Sequence, residues 1–98
     1  MGLPVKIMAR IVARPEHAAT VERALSTLAA ATRGEAGCES YEVYRDTDAP
    51  GVFVTVELWR DQADADAHMT SPHVAAAITT VGSLLAQAPE IHRYERAA

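Results

Sequence analysis

Val52 to Trp59 reads V-F-V-T-V-E-L-W, a run dominated by β-branched and aromatic side chains. That composition predicts a strand. Alternation divides it into two faces, Val52, Val54, Val56 and Leu58 on one and Phe53, Thr55, Glu57 and Trp59 on the other. Just upstream, Glu39 to Asp46 (ESYEVYRD) alternates in the same manner, and TDAPG between the two runs supplies a Pro- and Gly-bearing turn. The two runs therefore predict a hairpin.

Towards the N-terminus, residues 5–13 (VKIMARIVA) predict another strand. Pro15 then suits a first helical turn, with Glu16 favoured at the positive end of the helix dipole. Val21, Leu25, Leu28 and Thr32 follow at helical spacing until Gly34 offers a stop. Downstream of the hairpin, residues 61–70 (DQADADAHMT) predict a short helix with Asp61 as its N-cap. A residue before proline is pushed out of helical geometry, so Ser71 breaks this helix and caps a new one that starts at Pro72. The second helix runs through Val74, Ile78, Val81, Leu84 and Leu85; Pro89 closes it, and EIHRYE makes a last strand. The order β-α-β-β-α-α-β predicts an α+β fold in one domain, residues 1–98. It matches a ferredoxin-like split βαβ sandwich with an antiparallel sheet and a second crossover helix broken in two.

Helices in this topology cover one face of the sheet, yet VFVTVELW is apolar on both faces. A face of Phe53, Thr55 and Trp59 left in water would be the kind of patch that marks an interface. A second copy of the chain is the simple cover, so a homodimer is expected. A chain of 98 residues also hides a modest share of its apolar surface when it folds alone.

Composition excludes several function classes. Nine Lys and Arg are scattered among thirteen Asp and Glu, for a net charge of −4, so no basic patch invites nucleic acid. The stretch MGLPVKIMARIVARPEH has no uninterrupted apolar core of the kind a signal peptide or membrane span needs, and a cytoplasmic protein is expected. Cys38 is the only cysteine, which rules out an intrachain disulfide and a Cys-based zinc site. Neither a Gly-rich phosphate loop nor a nucleophile elbow is present.

His68 and His73, five positions apart, are the candidate chemical groups. A zinc protease pattern would set two His four apart on an unbroken helix with Glu between them, and this spacing does not. A third ligand would have to be Glu57, His92 or His17, and nothing in the spacing demands one, so no metal is expected. As an acid–base pair, His68 would sit in the last turn of its helix, which favours the protonated ring. His73 would sit near a helix start, which favours the neutral one and makes it the preferred base. The competing reading has His68 satisfying helix carbonyls and His73 at a solvated helix start; spacing alone favours it. Glu57, a carboxylate among apolar neighbours, requires either a cation such as Lys6 or Arg10 or a raised pKa. Tyr41, Tyr44 and Tyr94 are possible phenol donors to a ligand, or packing.

The run EAGCESYEVYRDTDAPGVFVTVELWRDQADADAHMTSPH carries a pattern of Glu35, Gly37, Cys38 and Tyr41, then Glu57 and Trp59, then Ala67, His68 and His73. In this it resembles the antibiotic biosynthesis monooxygenase family of the dimeric α/β-barrel superfamily. The N-terminal ARIVARPEH and the closing APEIHRYE extend the likeness over nearly the whole chain. The resemblance implies a homodimeric enzyme that oxidises a small aromatic quinol, phenol or anthrone with O₂ and no cofactor. The substrate's own anion would activate oxygen, and the protein would supply an apolar pocket, a base and oxyanion donors. It further implies His73, His68 and Glu57 as catalytic groups and Trp59, Tyr44 and Met8 as substrate contacts. Met8 stands where haem-degrading relatives carry asparagine, which argues against haem. It also removes a polar group with which some antibiotic-tailoring members hold substrate, so general quinol oxidation is favoured. The alternatives are a non-catalytic dimer that binds a small aromatic or signal molecule and, behind it, the haem-degrading or isomerase branch of the same superfamily.

Overall fold

A computed structural model describes residues 2–98; Met1 lies outside the described residues. Strand β1 (Val5–Val12) leads through a 3₁₀ turn at Pro15–His17 into helix α1 (Ala18–Thr32). Strands β2 (Cys38–Arg45) and β3 (Val52–Trp59) form the hairpin. Helices α2 (Gln62–Met69) and α3 (Pro72–Val81) follow, then a 3₁₀ turn at Gly82–Leu84 and strand β4 (Glu90–Tyr94). The four strands pair antiparallel in the order β2-β3-β1-β4, which is the ferredoxin-like arrangement of an α+β fold. No helix among the described residues is long and apolar enough to cross a membrane.

Local chemistry accounts for the boundaries. Asp61 caps α2 by accepting a hydrogen bond from the Asp64 amide at 2.9 Å, and Ser71 caps α3 at the Val74 amide. The α3 helix ends at Val81, earlier than the apolar spacing through Leu84 and Leu85 predicts, because Gly82 opens a 3₁₀ turn in its place. Gly51 turns the β2–β3 hairpin with φ of +84°, a conformation that L side chains rarely adopt.

The helices cover the face that carries Phe53, Thr55, Glu57 and Trp59, and this corrects the expectation that a partner would cover it. Phe53 packs with Ala9, Ile11, Val21, Leu25 and Val81, and Trp59 with Ile7, Ala29, Tyr41 and Ala65. The open face is the other one. There Met8 lies opposite Val56, Arg10 opposite Val54 and Lys6 opposite Leu58, flanked by Tyr44 on β2 and by His92 and Tyr94 on β4. Val54, Val56 and Leu58 are half-buried, and Tyr44 and Tyr94 are exposed.

Candidate functional site

The site begins on the inner face of β3, where strand alternation sets Thr55, Glu57 and Trp59 in a row. The Thr55 hydroxyl donates to Glu57 Oε2 at 2.7 Å, and the Trp59 indole donates from Nε1 to Glu57 Oε1 at 3.0 Å. Thr55 Oγ1 in turn accepts the Ala9 amide at 3.2 Å. Glu57 is 5% exposed and forms no salt bridge among the described residues. Lys6 and Arg10, expected as its partners, point to the open face, because β1 pairs Ile7 with Glu57 and so leaves even-numbered β1 residues on the far side. Two neutral donors take the place of a cation, one on each oxygen.

The break between α2 and α3 builds the second half. On an unbroken helix, residues five apart would face directions about 140° apart. With α2 ending at Met69 and α3 restarting at Pro72, His68 and His73 converge on one carboxylate, that of Glu35 in the α1–β2 loop. His68 Nδ1 lies 2.6 Å and His73 Nε2 2.7 Å from the same atom, Glu35 Oε2. The helix carbonyls find other partners: Ser71 Oγ donates to the His68 carbonyl at 2.6 Å and Thr70 Oγ1 to that of Ala67 at 3.1 Å. His68 is therefore not spent on its own helix end. Burial pushes the Glu35 carboxyl up, but hydrogen bonds and positive charge from His68 and His73 outweigh it and hold the group below its ordinary value. An ionised carboxylate only accepts, so both contacts are donated by ring N–H groups. In the neutral His68 ring this leaves Nε2 as an acceptor, and Nε2 makes no hydrogen bond among the described residues.

His68 is 4% exposed, its ring centroid 4.7 Å from Trp59 and 5.7 Å from Tyr41. It lines a cavity of ≈ 120 Å³ between the sheet and helices α1 and α3, together with Tyr41, Thr55 and Glu57 and otherwise apolar side chains. Burial and the neighbouring Glu57 charge push the Tyr41 phenol far up, against the pull of the Thr55 hydroxyl, so it stays protonated at neutral pH.

The structure separates the expected site residues into three places. His68 and Glu57 line the inner cavity, and Trp59 stands behind them, fully buried. His73 lines a surface groove between α1 and α3 with Ala24 and Thr27, and its side chain is 26% exposed. Met8 and Tyr44 lie on the open face, across the sheet from both histidines. Tyr41, three positions from Tyr44 and so on the opposite face of β2, is the tyrosine that reaches the cavity. In the sequence Glu35 stands out only as part of a motif; its loop position and its separation from both histidines hide its role. The positive φ of Gly37, where a Cβ would run into the Asp64 side chain, shapes the loop that carries it.

Glu35, His68 and His73 offer three ligand atoms within 4.8 Å of one another. Two imidazoles and a carboxylate are suitable donors for a divalent transition metal. The third member is thus Glu35, not Glu57, His92 or His17. The 2.6 and 2.7 Å separations are those of charge-assisted hydrogen bonds. An ion bonded to each nitrogen at about 2.0–2.1 Å would displace both protons and spread the three groups.

Comparison with known proteins agrees with this fold. A relative from Mycobacterium tuberculosis, Rv0793, whose name assigns it provisionally as a monooxygenase, is 35% identical over 85 residues, covering 87% of this chain and 83% of its own length. Its solved structure superposes with a TM-score of 0.89 over 97% of this chain and 96% of that one, at 30% identity. The crystal structure of PA3566 from Pseudomonas aeruginosa superposes with a TM-score of 0.90 at 35% identity, covering 100% of this chain and 98% of that one. The family model described as antibiotic biosynthesis monooxygenase matches residues 4–80, which include β1 and every residue of the Glu35–His68–His73 cluster. The chain belongs to the antibiotic biosynthesis monooxygenase family.

Proposed function

We propose that this protein oxidises a small phenol or quinol with O₂ and no cofactor, and that His68 is the base. The observation that carries this reading is the 2.6 Å contact between His68 Nδ1 and Glu35, which leaves Nε2 free beside an apolar cavity. Nε2 takes the phenol proton, and Glu35 steadies the imidazolium that forms. The phenolate passes an electron to O₂, and the resulting pair joins as a C–O bond to give a peroxide anion. His68 returns its proton to that peroxide. The O–O bond then breaks as the ring carbon loses its hydrogen, so one oxygen atom remains as a carbonyl and the other leaves as water. All four electrons come from the substrate, and no reductant is required.

Glu57 acts here as a positioning group, held by one hydrogen bond on each oxygen, from Thr55 and from Trp59. His73 reaches the cavity only through Glu35, which supports His68 over His73 as the base. The open sheet face, with Val54, Val56 and Leu58, supports a homodimer formed there, and Met8 and Tyr44 would then be interface residues. Oxygen uptake against a panel of phenols and diols, with isotopically heavy O₂ traced into the product, tests the reading. A non-catalytic binding protein would bind the same compounds without consuming oxygen.

A further inference from the structure

The inner cavity constrains what its ligand can be. At ≈ 120 Å³ it is much smaller than the roughly 300–1,000 Å³ typical of pockets for larger ligands. An engineered apolar cavity of about 150 Å³ in another protein holds benzene. The enclosed part of the space therefore suits one aromatic ring, and it opens to the surface beside the exposed Met69, Ile78 and Ile91.

Its polar groups also sit together. Tyr41 is the register partner of Glu57, Thr55 is bonded to Glu57, and the Tyr41 and His68 rings are 5.7 Å apart. The Thr55 proton is committed to Glu57, and each Glu57 oxygen already accepts one hydrogen bond, from Thr55 or from Trp59. A ligand at this edge meets the His68 Nε2 acceptor and the Tyr41 hydroxyl, which lies beside Thr55, together with the second lone pair on each Glu57 oxygen. The remaining wall is apolar, from Ile7, Ile11, Leu25 and Val81 to Ile91 on β4. A ring with hydroxyls on adjacent carbons presents both to the polar edge. A ring with hydroxyls at opposite ends buries one of them against Ile and Val side chains, where an unpaired hydroxyl is costly.

From this we infer that the cavity takes a single-ring, catechol-type phenol, with adjacent hydroxyls on His68 and Tyr41, and turns away fused-ring quinols. The assignment rests on the function proposed above for its chemistry, but it concerns binding and is tested without oxygen. The overall reaction balances for such a ligand: a benzenediol and O₂ give a hydroxybenzoquinone and water.

Trp59 is the only tryptophan and stacks near His68, so its fluorescence reports on ligand binding under nitrogen. Catechol and 4-methylcatechol should change Trp59 emission with saturation. Hydroquinone should bind on the order of tenfold more weakly or worse, and 1,4-dihydroxynaphthalene should not compete. Tyr41→Phe should erase the catechol preference while phenol still binds. Leu28→Ala, which enlarges the cavity at a half-buried wall position, should admit the naphthalenediol. Naphthalenediol bound by the unaltered protein as tightly as catechol would overturn the inference, as would a catechol preference unchanged in Tyr41→Phe. Admitting air separates the two levels. Catechol that binds as described but provokes no oxygen uptake defeats the monooxygenase reading alone, whereas oxidation of fused-ring quinols alone defeats the assignment of ligand class.

Discussion

Replacing Glu35 with glutamine keeps the shape of the side chain and removes the charge that draws His68 and His73 together. Oε2 accepts from both rings, at 2.6 and 2.7 Å, and charge-assisted hydrogen bonds are roughly twice as strong as neutral ones. Converting two such contacts to neutral ones should cost about 1–3 kcal/mol of folding stability at neutral pH. The cost should also carry a pH signature. The Glu35 carboxyl is held below its ordinary value of 4.5 in the folded chain, so its stabilisation is fully present above the unfolded value and fades as pH falls through the folded one. Urea unfolding of both proteins at a series of pH values should show a stability gap that is present from neutrality down to about pH 5. Below that the gap should close, because Glu35 becomes protonated while glutamine does not change. A gap that persists undiminished into strong acid, or no gap at pH 7, would refute the bridging role given to Glu35.

Other consequences are independent of that one. His73→Ala should lower the oxidation rate by no more than about tenfold, equivalent to ~1.4 kcal/mol, because His73 acts only through Glu35; steady-state oxygen uptake measures this. If the proposed homodimer forms through the open sheet face, the unaltered chain should sediment as a dimer and Val56→Lys, in the middle of that face, as a folded monomer. Phe53→Asp, under the helices, should instead fail to fold. Thr32 is fully buried on α1 and its hydroxyl has no hydrogen-bond partner among the described residues, so Thr32→Val should raise stability by about 1 kcal/mol, read as a higher Tm.

The features legible in the sequence are those set by neighbours in the chain. The V-F-V-T-V-E-L-W strand spans Val52–Trp59 as its composition predicts, and the Ser71-Pro72 dipeptide breaks the crossover helix for a steric reason local to the proline. Which face of β3 the helices cover was not legible, since both faces are apolar and alternation cannot say which one meets α1. The mistaken pairing of Glu57 with Lys6 and Arg10 has the same origin. Only the β1–β3 register, Ile7 opposite Glu57, reveals that those cations lie on the far side. His68 and His73 were visible as a pair, but the atom that joins them belongs to a loop residue more than thirty positions upstream. Of the tyrosines, Tyr41 and Tyr44 are three positions apart and so fall on opposite faces of a strand, and only tertiary packing decides that Tyr41 faces inward.

Oxygen uptake at neutral pH, by protein stripped of metal with a chelator and supplied with a panel of one-ring and fused-ring diols, tests most directly whether His68 is the base of a cofactor-free oxidation. The stripped protein should consume O₂ well above the uncatalysed rate and leave one heavy oxygen atom in the product. His68→Gln should lose roughly 10²–10⁴ of that rate, with the residue recovering as pH rises and the substrate ionises unaided. A stripped protein that is inert until one divalent metal is restored, or a His68→Gln variant as fast as the unaltered chain, would contradict it.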